Sequence, residues 1–520
     1  MLVKREVSIV FRVDSSGLMG SGHLMRCLTL ANELRRCGAK VCFVSRLHPG
    51  HLIHCLEADQ HVVHKLPAPE NKQVCFSEDY AAWLGVSVEQ DMNETLGILD
   101  GHAYDWLVVD HYGLSATWES AMRVSVNKVM VIDDIANRSH DCDLLLDQNY
   151  FGSESKGRYA DLVSSETSLL LGPRFALLAP KYAELRRLVV PSVGCVQRVL
   201  VFLGNVDQDN QTAEVLKALS HSDLKTLSID VVVGSNHPDP VGLEKQGSER
   251  GGVTLHYNLP TLADLMMRSD LVISAGGATT WERMCLGRPS IMTCIVENQQ
   301  ALSQQLEKNG YQRLIINEKA SSDIWYQAIS DLVRDTNQLQ QLSKKSMQLV
   351  DGLGAVRVVD AMLGKDRPEQ FQIRSARIDD EALLFGWANH ISVREQSFNQ
   401  ELIEFEAHTA WYKEKLRNAN CLIFIAEDID SLPLGQVRFD VDVNKRKALI
   451  DISIDFSCRG RGVAAFLLTK GMEKCLEKFA DIQFIAEVKS SNTISQALFK
   501  KVNFKQYSSK ANVVQFEYQQ

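Results

Sequence analysis

A strand, a glycine turn and a helix follow one another near the start of this chain and again past its middle. The first copy runs from an apolar stretch at 7–13 into Ser16-Gly17-Leu18-Met19-Gly20-Ser21-Gly22-His23-Leu24-Met25-Arg26. Leu24, Cys27, Leu28, Ala31 and Leu34 then keep helical spacing to about Cys37, and Gly38 stands where a left-handed C-cap is expected. The second copy runs from a strand at 271–274 into Ser274-Ala275-Gly276-Gly277-Ala278-Thr279-Thr280-Trp281-Glu282. Such a turn exposes bare backbone to a ligand and aims free helix N–H groups at anionic atoms. It also fixes the fold class, because ligands of α/β sheets bind at strand ends of this kind. A lone histidine usually caps or packs; the glycine setting is what makes His23 a candidate to act on a ligand.

The rest of the pattern agrees. Residues 1–190 alternate strands (7–13, 40–45, 106–110, 128–133, 144–147) with helices, which predicts a parallel sheet covered on both faces. After Pro191 the alternation restarts, with strands at 198–203, 228–233, 253–257, 271–274 and 289–295. A chain of 520 residues exceeds one ordinary core. Two similar α/β halves across a cleft would place a binding site between them.

Two first-half strands end in polar residues. One runs into Asp110, His111 and Tyr112 and the other into Asp133 and Asp134; cap or turn chemistry is the favoured reading of any single acid here, and the Asp110 triplet is the better site candidate of the two. In the second half, Gly276 and Gly277 would let pyrophosphate oxygens meet backbone N–H groups, with Thr279 or Thr280 adding a hydroxyl. Glu282 would accept hydrogen bonds from ribose hydroxyls, and Asn298 and Gln299 form an amide cluster at the next strand end. Two other patterns are set aside. His48, His51, His54, His61 and His64 fit no single helix face and are interrupted by Pro49-Gly50. Asp141-Cys142-Asp143 resembles a metal-binding D-x-D but precedes a strand, where turn chemistry is expected.

A net charge of −9 without a basic block argues against a dedicated nucleic-acid binder. No apolar run approaches membrane-spanning length and no signal-peptide pattern opens the chain. The twelve cysteines are scattered without a C-x-x-C pair, as in a reduced cytoplasmic protein, and no zinc signature appears. Nothing in the sequence sets an oligomeric state.

Residues 328–362 read as mostly helical, 364–370 as a polar linker, and an α+β pattern fills 371–520. Its strands at 421–427, 435–440 and 448–454 lead into Arg459-Gly460-Arg461-Gly462-Val463-Ala464, which opens an apolar helix. Backbone N–H groups from Arg461 to Ala464 would cradle a pyrophosphate.

On these residues, 1 to about 363 resembles the UDP-sugar hydrolases of pseudaminic acid biosynthesis, relatives of the MurG-type GT-B glycosyltransferases. The matching stretches include Arg12–Ser15, Gly20–Cys27, Trp106–Tyr112, Ile132–Asp134, Asp143–Asn149, Gly276–Glu282 and Glu297–Gln299. The resemblance implies two Rossmann-like halves, 1–190 and 191–363, no metal, and UDP held mainly by the second. It implies His23 as the base that activates water, with Gly20, Ser21, Gly22, Arg26, Asp110, His111 and Tyr112 around the sugar. The loop Gly204-Asn205-Val206-Asp207 departs from the family, which often has a second glycine there.

Residues 371–520 resemble the GNAT acetyltransferases through Arg459-x-x-Gly462-x-Ala464, with Asn492-x-x-Ser495 as a second segment, and this implies acetyl-CoA as co-substrate. Asn503 replaces the usual glycine, and Phe499 falls where many members carry a tyrosine acid. The proton donor stays open between Tyr507, Tyr518 and Glu487, while His408 and Trp411 are candidates for the sugar side. Together the resemblances predict consecutive steps on a UDP-amino-sugar: 4-N-acetylation, then release of UDP. A GT-B glycosyltransferase, a hydrolase for a stereoisomeric sugar and a non-catalytic sugar-nucleotide sensor remain open alternatives.

Overall fold

A computed structural model gives the architecture. It describes residues 6–519 apart from 18, 70–79, 156, 190–194, 205–206, 235, 258, 260, 295–298, 317–318, 365–370, 428–432, 456–458, 460–461 and 511. The chain divides into two compact units, Met1–Gly364 and Lys365–Gln520.

The first unit is built on two parallel sheets. One contains β1 (Ser8–Val13), β2 (Lys40–Arg46), β3 (Val62–Leu66), β4 (Tyr104–Asp110), β5 (Val126–Ile132), β6 (Leu144–Asp147) and β7 (Ser168–Leu171), in the order 3-2-1-4-5-6-7. The other contains β8 (Arg198–Phe202), β9 (Ser228–Val233), β10 (Val253–Tyr257), β11 (Leu271–Ala275), β12 (Ser290–Thr293) and β13 (Arg313–Ile315), in the order 10-9-8-11-12-13. Every pairing in both is parallel. In each, the first strand lies inside and the order reverses beside it, the doubly wound arrangement that opens a crevice at the strands' carboxyl ends.

Alternation builds the layers. Ile9, Phe11 and Val13 of β1 join Trp106 and Val108 of β4 on one face of the first sheet. Val10, Leu107 and Val109 enter the core on the other face. Continuous apolar runs such as Trp106-Leu107-Val108-Val109 are therefore buried on both sides. The strands that sequence patterning passes over, β3, β7 and β13, are short or at edges; Val62 of β3 is 60% exposed, so no apolar run marks it. The last helix of the unit, Gly354–Leu363, returns to the first half. Its Ala355, Val358, Val359 and Met362 complete the core around Leu24, Leu28 and Leu34.

The second unit carries one mixed sheet of β14 (Gln372–Ser375), β15 (Cys421–Glu427), β16 (Pro433–Asp442), β17 (Lys447–Ile454), β18 (Gln483–Lys489), β19 (Phe504–Lys510) and β20 (Val513–Tyr518), in the order 14-15-16-17-18-20-19. Only β17 and β18 run parallel, and their pairing ends at Ile450–Ala486 although both strands continue. The helix Val463–Lys478 covers one face through Val463, Leu467, Leu468 and Cys475. The predicted linker lies, except for Gly364, outside the described residues. Among the described residues no helix is long and apolar enough to cross a membrane.

Candidate active site

The opening turn is a tight local structure. Gly20 donates its N–H to the Ser16 carbonyl at 3.0 Å and has φ +72°, a conformation that favours glycine. The helix Gly22–Arg36 follows, burying Leu24, Cys27, Leu28, Ala31 and Leu34. Gly38 at φ +83° closes it, as the sequence predicts. His23 and Arg26, three residues apart, share a helix face.

That face meets the end of β4. His23 Nδ1 lies 2.6 Å from Asp110 Oδ1. Arg26 clamps the same carboxylate with two bonds, Nε to Oδ2 at 2.6 Å and Nη2 to Oδ1 at 2.7 Å, and Cys27 Sγ adds a contact at 3.4 Å. Asp110 is fully buried, which alone would favour its neutral form, but Arg26 first and His23 second hold its carboxyl below the usual range. An ionised Asp110 selects the His23 tautomer with hydrogen on Nδ1. Nε2 is then left as the basic nitrogen, on a side chain 11% exposed.

The second acid pair also enters the site. Arg26 Nη1 reaches Asp134 Oδ2 at 2.9 Å, and the Tyr112 hydroxyl donates to Asp134 Oδ1. Tyr112 packs edge-on against His23 at 4.6 Å between ring centroids. Asp134, which turn chemistry would explain from sequence alone, thus ties β5 to the His23 helix. Neighbouring Asp133 and Asp147 share the Tyr159 hydroxyl at 3.1 and 3.2 Å. One hydroxyl proton cannot serve both carboxylates. Burial, reinforced by the charge of Asp134, pushes the Asp147 carboxyl up to about 7, so it supplies a proton of its own.

His111 is placed differently. It is buried, its Nδ1 accepts from the Gly113 N–H at 3.0 Å, and its Nε2 lies 3.6 Å from Asp14 Oδ2. Burial brings its pKa down to about 3 against the pull of Asp14. His48 points at the same oxygen from 3.4 Å. Asp14, Arg12, Arg46 and Asp91 form a buried ion network beneath the site. The other histidines of the 48–64 run disperse; His61, for example, bonds Asn32 at 2.8 Å. Asp141 and Asp143 both pair with Arg123. Sequence patterning also passes over Tyr80 and Trp83, which flank Tyr112 at 5.0 and 5.5 Å. Their only signal is an aromatic pair outside any periodic segment.

In the second half, Gly277 has φ +122°, and a Cβ at Gly276 would stand 2.5 Å from Gln299 Oε1. The Gln299 amide therefore lies directly against the turn. That oxygen is buried and has no hydrogen-bond partner among the described residues. Thr280 is buried, Thr279 half-buried, and both start the helix Thr279–Cys285. Glu282, one turn in, has its carboxyl pushed up to about 7 by burial, opposed by a hydrogen bond from Tyr182. Asn298 lies outside the described residues.

In the second unit, Arg459 donates from Nε to the Ile454 carbonyl at 3.3 Å. Gly460 and Arg461 lie outside the described residues. Gly462, at φ +86°, is the N-cap of the helix Val463–Lys478, where no side chain caps the first N–H groups among the described residues. Val463 is buried in the core and Ala464 half-buried. Asn492 caps the helix Thr493–Lys501, accepting from the Ser495 N–H at 3.0 Å, so both residues have a local structural role. Asn503 adopts φ +63° and donates to the Gln519 carbonyl at 2.6 Å, which shows how asparagine stands in for glycine there. Phe499 packs inside against Phe504 and Phe516. Tyr507 is half exposed, and burial with Glu487 and Glu517 raises its pKa. His408 is buried against Phe385 and Trp411.

Residues 198–356 match the glycosyltransferase family 28 C-terminal domain, and residues 388–504 match the acetyltransferase (GNAT) family. The chain is a fusion of a unit carrying a glycosyltransferase family 28-like domain and a GNAT acetyltransferase unit. An uncharacterized protein of Methanocaldococcus jannaschii is 22% identical over 517 residues, spanning 96% of this chain and 97% of its own. The UDP-2,4-diacetamido-2,4,6-trideoxy-beta-L-altropyranose hydrolase of Campylobacter jejuni is 23% identical over 307 residues, 59% of this chain and 98% of that enzyme. The spore coat polysaccharide biosynthesis protein SpsG of Bacillus subtilis is 26% identical over 228 residues, 40% of this chain and 63% of its own. The fusion is thus an enzyme with an acetyltransferase unit and a hydrolase-like or glycosyltransferase-like unit, and the GNAT match implies binding of acetyl-CoA or CoA.

Proposed function

We propose that the first unit hydrolyses UDP-2,4-diacetamido-2,4,6-trideoxy-β-L-altrose to UDP and the free sugar, with inversion at the anomeric carbon. The second unit acetylates the 4-amino group of the precursor UDP-4-amino-sugar, so that the two reactions are consecutive steps toward pseudaminic acid. The observation that carries the hydrolase assignment is the His23–Asp110 pair held by Arg26 at the mouth of a glycine turn.

The mechanism follows from that pair. Water approaches the anomeric carbon from the face opposite UDP, and His23 Nε2 takes its proton as the carbon–oxygen bond forms. The imidazolium that develops is stabilised by Asp110, which stays ionised because Arg26 pays its burial cost. The bond from the anomeric carbon to the diphosphate oxygen breaks, and its electron pair leaves with UDP. Backbone N–H groups of the Gly276–Gly277 turn, with Thr279, Glu282 and Gln299, are assigned to hold the UDP. In the second unit, the amine attacks the acetyl-CoA thioester, the carbon–sulfur bond breaks with CoA leaving as the thiolate, and the proton lost by the nitrogen ends on that sulfur. The helix start at Gly462–Ala464 is assigned to the CoA pyrophosphate.

Incubation of UDP-4-amino-4,6-dideoxy-N-acetyl-altrosamine with acetyl-CoA should release both CoA and UDP. His23→Ala should lower UDP release by at least about 10³-fold and leave CoA release unchanged. UDP appearing only when a sugar acceptor is added would instead identify a glycosyltransferase.

A further inference from the structure

Beside the His23–Asp110 pair stands a side chain that the proton chemistry does not use. Trp83 lies in the short turn Tyr80–Leu84, half-buried. Its ring centroid is 6.3 Å from His23 in an edge-to-face arrangement and 5.5 Å from Tyr112 at 38°. Tyr80 meets it edge-on at 5.1 Å. The indole Nε1–H has no hydrogen-bond partner among the described residues.

The turn is fastened from below. Leu84 is fully buried. Gly113 passes so close beneath the Tyr80 carbonyl that a Cβ would come within 2.7 Å. Gly85, at φ +68°, is packed where a Cβ would lie 2.6 Å from Pro69. The turn is therefore held in place, with the indole against Tyr80 and Tyr112. In the loop leading to His23, a Cβ at Gly17, Gly20 or Gly22 would meet nothing within 4 Å. Uncrowded glycines before the base and an aromatic face 6.3 Å from it suit a ring that presents C–H and methyl groups. The hydroxyl of Tyr112 is already committed to Asp134, so the aromatic face offers apolar area and one free donor, the indole N–H.

We propose that Trp83 is the specificity-determining residue of the sugar subsite. Resting on the hydrolase assignment above, its indole would pack on the apolar face of a 6-deoxy, N-acetylated pyranose held beside His23 and donate to an acetamido carbonyl. A sugar with a 6-hydroxymethyl group would bury that hydroxyl against the ring without a partner, a loss of about 10–200-fold in selectivity.

The test uses the full-length protein. UDP release is measured from the UDP-linked diacetamido-trideoxy sugar and from UDP-N-acetylglucosamine, for wild type, Trp83→Ala, Trp83→Leu and Trp83→Phe. In parallel, binding of the deoxy-sugar nucleotide and of UDP alone is followed by calorimetry. Trp83→Ala should lower kcat/KM for the deoxy sugar about 30-fold, mainly through KM, and shrink its preference over UDP-N-acetylglucosamine about tenfold. Trp83→Phe, which keeps an aromatic face but loses the N–H donor, should fall between wild type and Trp83→Ala in both, and the affinity for UDP alone should change less than about twofold in every variant. An unchanged preference in Trp83→Ala and Trp83→Leu would overturn the proposal, and so would a loss of UDP affinity equal to the loss for the sugar nucleotide. A wild type that binds the sugar nucleotide more tightly than UDP without cleaving it would sink the hydrolase assignment alone. The Trp83 inference would then stand or fall on whether that extra affinity disappears in the Ala and Leu variants.

Discussion

The two α/β halves of the first unit share a strand order but load their strand ends with opposite chemistry. In the first half, β1 is followed by Asp14, β4 ends at Asp110, β5 is followed by Asp133 and Asp134, and β6 ends at Asp147. In the second, β8, β11 and β12, which hold the places of β1, β4 and β5, are followed by Leu203-Gly204, Gly276-Gly277 and Cys294. A row of carboxylates suits proton transfer and repels a diphosphate; small residues with open backbone suit the diphosphate and move no protons. One motif recurs in both. An aspartate after the first strand faces a histidine after the second at 3.4 Å, Asp14 with His48 and Asp207 with His237. In the first half that aspartate is bound by Arg12; in the second it caps a helix through the Gln211 and Thr212 N–H groups. The same position supports an ion network in one half and a helix start in the other.

The largest effect that would sharpen this contrast belongs to the carboxylate row. Asp110→Asn keeps the shape but removes the charge that fixes the His23 tautomer, so UDP release should fall about 10²–10⁴-fold in kcat with acetyl transfer unaffected. A fall below tenfold would show that the row does not control the base. Next come the glycines. Gly276→Ala must displace the Gln299 amide and should weaken UDP binding about tenfold, whereas Gly22→Ala enters open space and should change it less than about twofold. Equal effects at the two turns would erase the proposed division of labour.

The smallest effect is on stability. Asp147 binds its proton more tightly when folded, so its contribution is complete below the unfolded carboxylate value of about 3.9 and declines as pH rises through about 7. Asp147→Asn carries no such proton. The melting temperature of the variant, relative to wild type, should therefore rise between pH 5 and pH 8; a constant difference would contradict a neutral Asp147.

What could be read from the sequence was whatever depends on neighbours along the chain. Strands buried on both faces announce themselves as apolar runs, and both glycine turns stand out by spacing. His23 and Asp110 stand 87 positions apart, with no local sign that the two side chains will meet. Only the parallel pairing of β1 with β4 brings the end of β4 beside the His23 turn. Asp134 looked like turn chemistry because its partners Arg26 and Tyr112 come from other strand ends. Asn492 has a role that the motif alone does not announce, capping its own helix. His48 and His111, one from a dismissed histidine run and one from a favoured triplet, converge on the same buried oxygen of Asp14.

The returning helix Gly354–Leu363 has a consequence for how the protein is made. Val358 and Val359, both fully buried, seal a core whose other walls come from residues 9–146 and Leu177. A ribosome releases those walls long before it reaches residue 363. The nascent first half must therefore wait with an unclosed apolar seam while the whole second half is synthesised. The part of the unit translated first is the part finished last.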